Sequence, residues 1–230
     1  MNKEGLLARY EALGEEGDFL AAQPLFELAL AEAPEARVLN EYGYLLYAHA
    51  RRELRRAVEL YERAIALDPN YDKPHYQLIV ARAALQEQEA AVQTYEQRLA
   101  DAPGEVREHR FLATARLNAH AFEQALAVAE AGLRLAPDDA ALMALRGEAK
   151  QGLGEVEAAL ADWRRALELE PEDIGALYST AFLLEHEDRL DEAVAAWEAI
   201  VDWCSARDLH LEAEWPKREI ERLRQRNEVR

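Results

Sequence analysis

The sequence predicts an all-α solenoid of about six helix–turn–helix repeats followed by a C-terminal capping helix, and three observations carry that prediction. Alanine recurs at Ala22, Ala57, Ala91, Ala125, Ala159 and Ala193, in steps of 35, 34, 34, 34 and 34 residues. Four residues later stands an aromatic, Phe26, Tyr61, Tyr95, Trp163 or Trp197, with Ala129 as the exception, and eight later an aliphatic such as Leu30, Ile65, Leu99 or Leu133. Twelve residues after five of the six alanines comes proline, Pro34, Pro69, Pro103, Pro137 and Pro171, with Ser205 in the last repeat. Offsets of four and eight keep side chains on one helical face, so small, large and aliphatic residues form one buried stripe. The proline then ends the helix.

Each period also has room for a preceding helix, as in the helical periodicity of residues 37–47. Breaks between the two helices of a repeat are expected at Gly17-Asp18, Arg51-Arg52, Gln86 to Glu89, His120, Gly154-Glu155 and Asp188-Arg189, where polar or glycine residues cluster. Twelve repeat helices follow. The second repeat gains residues at 49–54, which accounts for the one step of 35 and is tolerated in an exposed turn. Pro24 falls inside a second helix and should bend it, whereas Pro74 and Pro216 each open a helical stretch, where the missing donor costs little.

Composition narrows the class of partner. The formal charge of −18, from 45 acidic and 27 basic residues, repels phosphate backbones and anionic lipid, so neither nucleic acid nor membrane is an expected partner. The single cysteine, Cys204, cannot form an internal disulfide, and no run of 18 apolar residues occurs, so a reducing, cytoplasmic setting is expected.

The small residue, aromatic, aliphatic and proline at these offsets resemble the tetratricopeptide repeat. The resemblance rests on Gly17-Asp18-Phe19, Ala22, Phe26, Ala29-Leu30 and Pro34 in the first repeat and Gly43, Ala57, Tyr61, Ala64 and Pro69 in the second. Gly147, Gly154, Ala159, Trp163, Ala166 and Pro171 carry it in the fifth. It implies a right-handed superhelix over residues 1–205, with repeats at about 3–35, 36–70, 71–105, 106–139, 140–173 and 174–205. Departures are Tyr10 and Ile79 where Gly or Ala is usual, Arg98 where a small residue is usual, and Ala129 in the aromatic position. Residues 206–230 suit a polar cap: Pro216 to Arg230 holds six basic and three acidic residues, with Trp215, Ile220 and Leu223 for the buried side.

The resemblance also implies that the first helices of successive repeats line a concave groove. Its candidate residues are Arg37, Asn40, Tyr44 and Tyr47 in the second repeat, Lys73 and Tyr76 in the third, Arg107, Arg110, Thr114 and Asn118 in the fourth, and Tyr178 and Phe182 in the sixth. The fifth repeat contributes Ala141, Ala144, Glu148 and Gln151 to the same stripe. Arginine and tyrosine are enriched at binding hot spots. The expected function is therefore a non-catalytic protein–protein interaction module, an adaptor, scaffold or co-chaperone, binding a peptide segment; an acidic or carboxylate-bearing segment suits the basic stripe. The chaperone-tail clamp of one subfamily is not reproduced, since Gln77 and Val80 occupy places where asparagine would be wanted. The alternative is a self-associating structural protein, with Tyr178 and Phe182 joining identical chains.

No cofactor, metal or enzymatic chemistry is expected. Histidines are scattered without the i, i+4 spacing of a metalloprotease helix, and Gly152-Leu153-Gly154 lies at a helix–helix turn, where a phosphate-binding loop lacks its strand. No nucleophile is paired with a base.

Overall fold

Residues with strong helical pattern fold into paired rods, and the turns between them repeat as regularly as the alanines. The computed structural model describes residues 23, 24, 26–28, 31 and 36–228, apart from the side chains of 36–38, 40, 41, 44 and 45. The described helices are α1 (Ala36–Leu67), α2 (Asp72–Ala84), α3 (Gln88–Asp101), α4 (Val106–Asn118), α5 (Phe122–Leu135), α6 (Ala140–Gly152), α7 (Val156–Leu169), α8 (Ile174–His186), α9 (Leu190–Ser205) and α10 (His210–Glu228). No strand occurs among the described residues. The chain forms two compact units, Met1–Gln86 and Glu87–Arg230.

Within a repeat, the first helix ends on a residue in the left-handed region: Gln86 (φ 64°), His120 (φ 55°), Gly154 (φ 79°) or Asp188 (φ 61°). Histidine, aspartate and glycine tolerate that conformation better than most residues. In the second unit the next N–H then returns to the carbonyl five residues back, Ala121 to Arg116, Glu155 to Lys150 and Arg189 to Leu184, each at 2.9 Å. This satisfies carbonyls that the helix end would otherwise leave unpaired. Between repeats the stop is proline. Ala102, Ala136 and Glu170, each preceding a proline, sit at φ −137°, −134° and −128°, out of the helical region as proline requires of its predecessor.

The ladder is the core of the second unit. Ala91, Ala125, Ala159 and Ala193 are at most 1% exposed, and Tyr95, Ala129, Trp163 and Trp197 are fully buried. A glycine admits the tryptophan ring: a Cβ on Gly147 would lie 2.5 Å from Trp163 Nε1, which itself donates to the Ala144 carbonyl at 3.0 Å. The absent side chain on α6 is thus what seats the indole of α7.

Three buried carboxylates anchor ion pairs between helices of the second unit. Arg98 on α3 donates twice to Glu108 on α4, at 2.9 and 2.7 Å. Arg110 on α4 holds Asp139, which caps α6 by accepting from the Leu142 N–H at 2.9 Å. Arg146 and Lys150 on α6 converge on Asp162 of α7, at 2.5 and 2.8 Å. Hydrogen bonding to these carboxylates raises the pKa of Arg98 and of Arg146 above the usual arginine value. Arg98 thereby explains its departure from the repeat pattern: it replaces a small residue with a side chain that reaches the neighbouring helix.

Two expectations are corrected. The break at Arg51-Arg52 does not form; α1 runs unbroken from Ala36 to Leu67, so the second repeat is one rod of 32 residues instead of a hairpin. Nothing in Ala50 to Arg56 favours leaving the helix, since the stretch has no Gly, Pro, Asn or Asp, and the Arg51 guanidinium lies 5.8 Å from the Tyr47 ring one turn back. Pro216 does not open a helix but lies inside α10. Its ring falls on the buried face with Ala213, Ile220 and Leu223, so apolar contact offsets the hydrogen bond it removes. Pro74 does fall in the first turn of α2, and Pro24 is helical and exposed. The expectations for Tyr10 and for the Gly17-Asp18 break lie outside the described residues.

Candidate functional site

The first unit contributes six of the candidate residues. Arg37, Asn40 and Tyr44 lie on α1, but their side chains fall outside the described residues. Tyr47 is half-exposed, and Lys73 is exposed in the first turn of α2. Tyr76 lines an apolar groove of about 320 Å³ together with Leu54, Ala57, Tyr61, Val80 and Ala84.

In the second unit the first helices α4, α6 and α8 present the stripe. On α4, the Thr114 hydroxyl donates to the Arg110 carbonyl at 2.9 Å and the Asn118 amide to the Thr114 carbonyl at 2.9 Å. Both residues are partly exposed, and each side-chain oxygen has acceptor capacity beyond these bonds. Arg110 plays another part than expected. Its guanidinium is engaged by Asp139, which is 8% exposed, so its charge fixes α4 to the start of α6. Arg107 lies 3.6 Å from Glu108, the same carboxylate that Arg98 holds. Neither arginine is the uncompensated cation that the acidic-partner expectation needs.

On α6 the charge is reversed. Glu148 is partly buried and makes no hydrogen bond or ion pair among the described residues. Burial, then the nearby Asp173 carboxylate, pushes its pKa up to about 7. A carboxyl group in this setting is half neutral near physiological pH, and an N–H donor or a cation placed beside it would restore its charge.

On α8, Tyr178 and Phe182 form an aromatic cluster with Trp197 of α9 and Trp215 of α10. Trp215 stacks on Tyr178 with centroids 6.0 Å apart and stands 5.9 Å from Phe182 and 5.0 Å from Trp197. Phe182 and Trp215 remain 47% and 44% exposed, giving the cluster an open edge. Further along α10, Arg222 pairs with Glu185 of α8, while Arg224 reaches Glu198 at 2.6 Å and Arg226 reaches Asp188 at 2.8 Å. Trp215 therefore meets the face of α8 that carries Tyr178 and Phe182, a contact that its place in the C-terminal segment did not disclose.

Sequence reasoning missed three features of this surface. Asp139 was hidden as Arg110's partner because the two are distant in sequence, although Asp139 ahead of an apolar helical run is an N-cap signal. Glu148 sat in the stripe, but its lack of a counter-charge is a property of packing. Trp215 read as core and proves half-exposed.

No family model and no curated protein matches the sequence. Solved structures do. TTC0263 of Thermus thermophilus, described as a thermophilic tetratricopeptide (TPR) protein, is 26% identical over 76% of this chain and 95% of its own, with a TM-score of 0.58. A tetratricopeptide repeat protein from Parabacteroides merdae ATCC 43184 shares the fold over 96% of this chain and 92% of its own at 14% identity, with a TM-score of 0.51. A double mutant of MamA from strain RS-1 aligns with 71% of this chain and 95% of its own at 22% identity, with a TM-score of 0.50. The regular alanine ladder, the left-handed turns at the same period and the likeness to TTC0263 together show that this chain has the tetratricopeptide repeat fold.

Proposed function

We propose that the chain is a non-catalytic, cytoplasmic interaction module in which residues 1–205 form the array, 206–230 cap it, and the first helices bind a segment of another protein. Tetratricopeptide proteins are in general protein–protein interaction modules, which supports the class of function. The partner's chemistry is read from the second unit. The observation that carries it is Glu148, a partly buried carboxyl group without a donor, set on a stripe that also holds Thr114, Asn118 and the open aromatic edge of Phe182 and Trp215. A segment offering a lysine, arginine or backbone N–H to Glu148, with an apolar side chain for the aromatic edge, fits that surface. Arg107 and Arg110 are held by carboxylates of their own chain, which disfavours an acidic segment at that part of the stripe. Among the described residues no helix is long and apolar enough to cross a membrane.

The test is selection from a random peptide library displayed on phage, followed by affinity measurement with wild type, Glu148→Gln and Thr114→Arg. Selected peptides should be enriched in lysine or arginine next to an apolar residue, and Glu148→Gln should weaken them about tenfold, the loss of roughly one charge-assisted hydrogen bond. Peptides bound equally by all three proteins would place binding elsewhere.

A further inference from the structure

Among the described residues, the second repeat leaves two complementary surfaces of one hairpin uncovered. In the four repeats of the second unit the ladder alanine is at most 1% exposed and the residue four later is fully buried. In the second repeat the corresponding Ala57 and Tyr61 are only partly buried, and with Leu54, Tyr76, Val80 and Ala84 they line the apolar groove described above. What covers this face in the fifth repeat is its own first helix, where Gly147 abuts Trp163. The counterpart glycine here is Gly43, and a Cβ placed on it would meet nothing within 4 Å among the described residues. Around Gly43, the N-terminal half of α1 carries Leu39, Leu46 and Tyr47, which are 52%, 43% and 54% exposed and share one helical face with it. Glycine seat and aromatic insert are both present, but they lie on one continuous helix, about 27 Å apart along its axis at 1.5 Å per residue.

We propose that two copies of this chain complete the hairpin by reciprocal exchange, residues 36–50 of each seating in the other's groove at Ala57, Tyr61, Tyr76 and Val80. Back-folding within one chain requires a left-handed residue at the place that Gln86, His120, Gly154 and Asp188 occupy in later repeats. Arg51 and Arg52 stand there, inside a continuous helix that Arg51 braces against Tyr47. Exchange needs no such break, because the occupant arrives from a second rod with its own helix intact. The arrangement is two-fold and closed: each groove takes one segment and each segment fills one groove, so association stops at the dimer. This assembly surface differs from the Tyr178 and Phe182 patch, and it is independent of peptide binding on the second unit.

The experiment uses the full-length chain. Gly43→Cys and Tyr61→Cys variants are mixed, unfolded, refolded together and treated with a short bis-maleimide. Exchange predicts a cross-linked species of about twice 26.1 kDa containing one copy of each variant, at least ten times more abundant than in either variant alone. Wild type should sediment at about twice 26.1 kDa, and Arg51→Asn with Arg52→Gly, which permits the turn, should weaken association at least tenfold. A wild-type chain sedimenting at 26.1 kDa at every concentration would overturn the proposal. So would a Gly43→Cys, Tyr61→Cys double variant that cross-links within single chains.

Discussion

Replacing Glu148 with glutamine should make the second unit more stable, and increasingly so as pH rises. The native carboxyl group has a pKa of about 7 against an ordinary value of 4.5, so between those values the native state binds a proton that the unfolded state has released. Stability therefore falls as pH climbs through this window, and the penalty is complete above about pH 7. At about 1.4 kcal/mol per pH unit, the interval corresponds to an upper bound of about 3 kcal/mol. Glutamine keeps the shape and carries no charge, so the variant lacks this slope. The tryptophans Trp163, Trp197, Trp203 and Trp215 all belong to the second unit, so urea unfolding followed by their fluorescence reports on the right part of the molecule. Wild type and Glu148→Gln should be about equally stable at pH 4.5, with the variant ahead by up to about 3 kcal/mol at pH 8. A gap that stays constant across this range would refute the burial of an uncompensated carboxyl group.

Two further outcomes follow from the packing. Ala159→Leu inserts bulk at a fully buried position beside Trp163 and should lower stability by about 1–3 kcal/mol in the same urea assay. Arg110→Glu sets a carboxylate against buried Asp139, the N-cap of α6, and should cost about 1–3 kcal/mol, visible as loss of α6 amide protection in hydrogen exchange. Any loss of binding in that variant is thus a consequence of lost folding.

The ladder itself was legible because it is local: offsets of four, eight and twelve residues set helix faces and helix ends without reference to distant chain. Ala91, Tyr95, Ala159, Trp163, Ala193 and Trp197 are buried as that pattern requires. The continuity of α1 was not legible. Gln86 and Arg52 are comparably good helix formers, yet the chain turns at one and not at the other. Which occurs depends on whether the two helices gain enough by packing together, a tertiary quantity absent from local propensity. Charges were misjudged for the same reason. Arg110 reads as a binding cation until Asp139 comes into contact, and Glu148 reads as one more residue of the stripe until its lack of a donor among the described residues is seen. Pro216 shows the converse case, a local rule outweighed by burial of its ring on the packed face of α10.

The central functional claim, that the first helices of the second unit receive a partner's segment, is tested most directly by nuclear magnetic resonance of the full chain titrated with a selected peptide. Shifts of the Thr114 and Asn118 amides, the Glu148 side-chain carboxyl and the Phe182 ring are predicted, accompanied by a downward move of the Glu148 pKa as its charge is satisfied. Shifts confined to α5, α7 and α9, with that pKa unmoved, would contradict it.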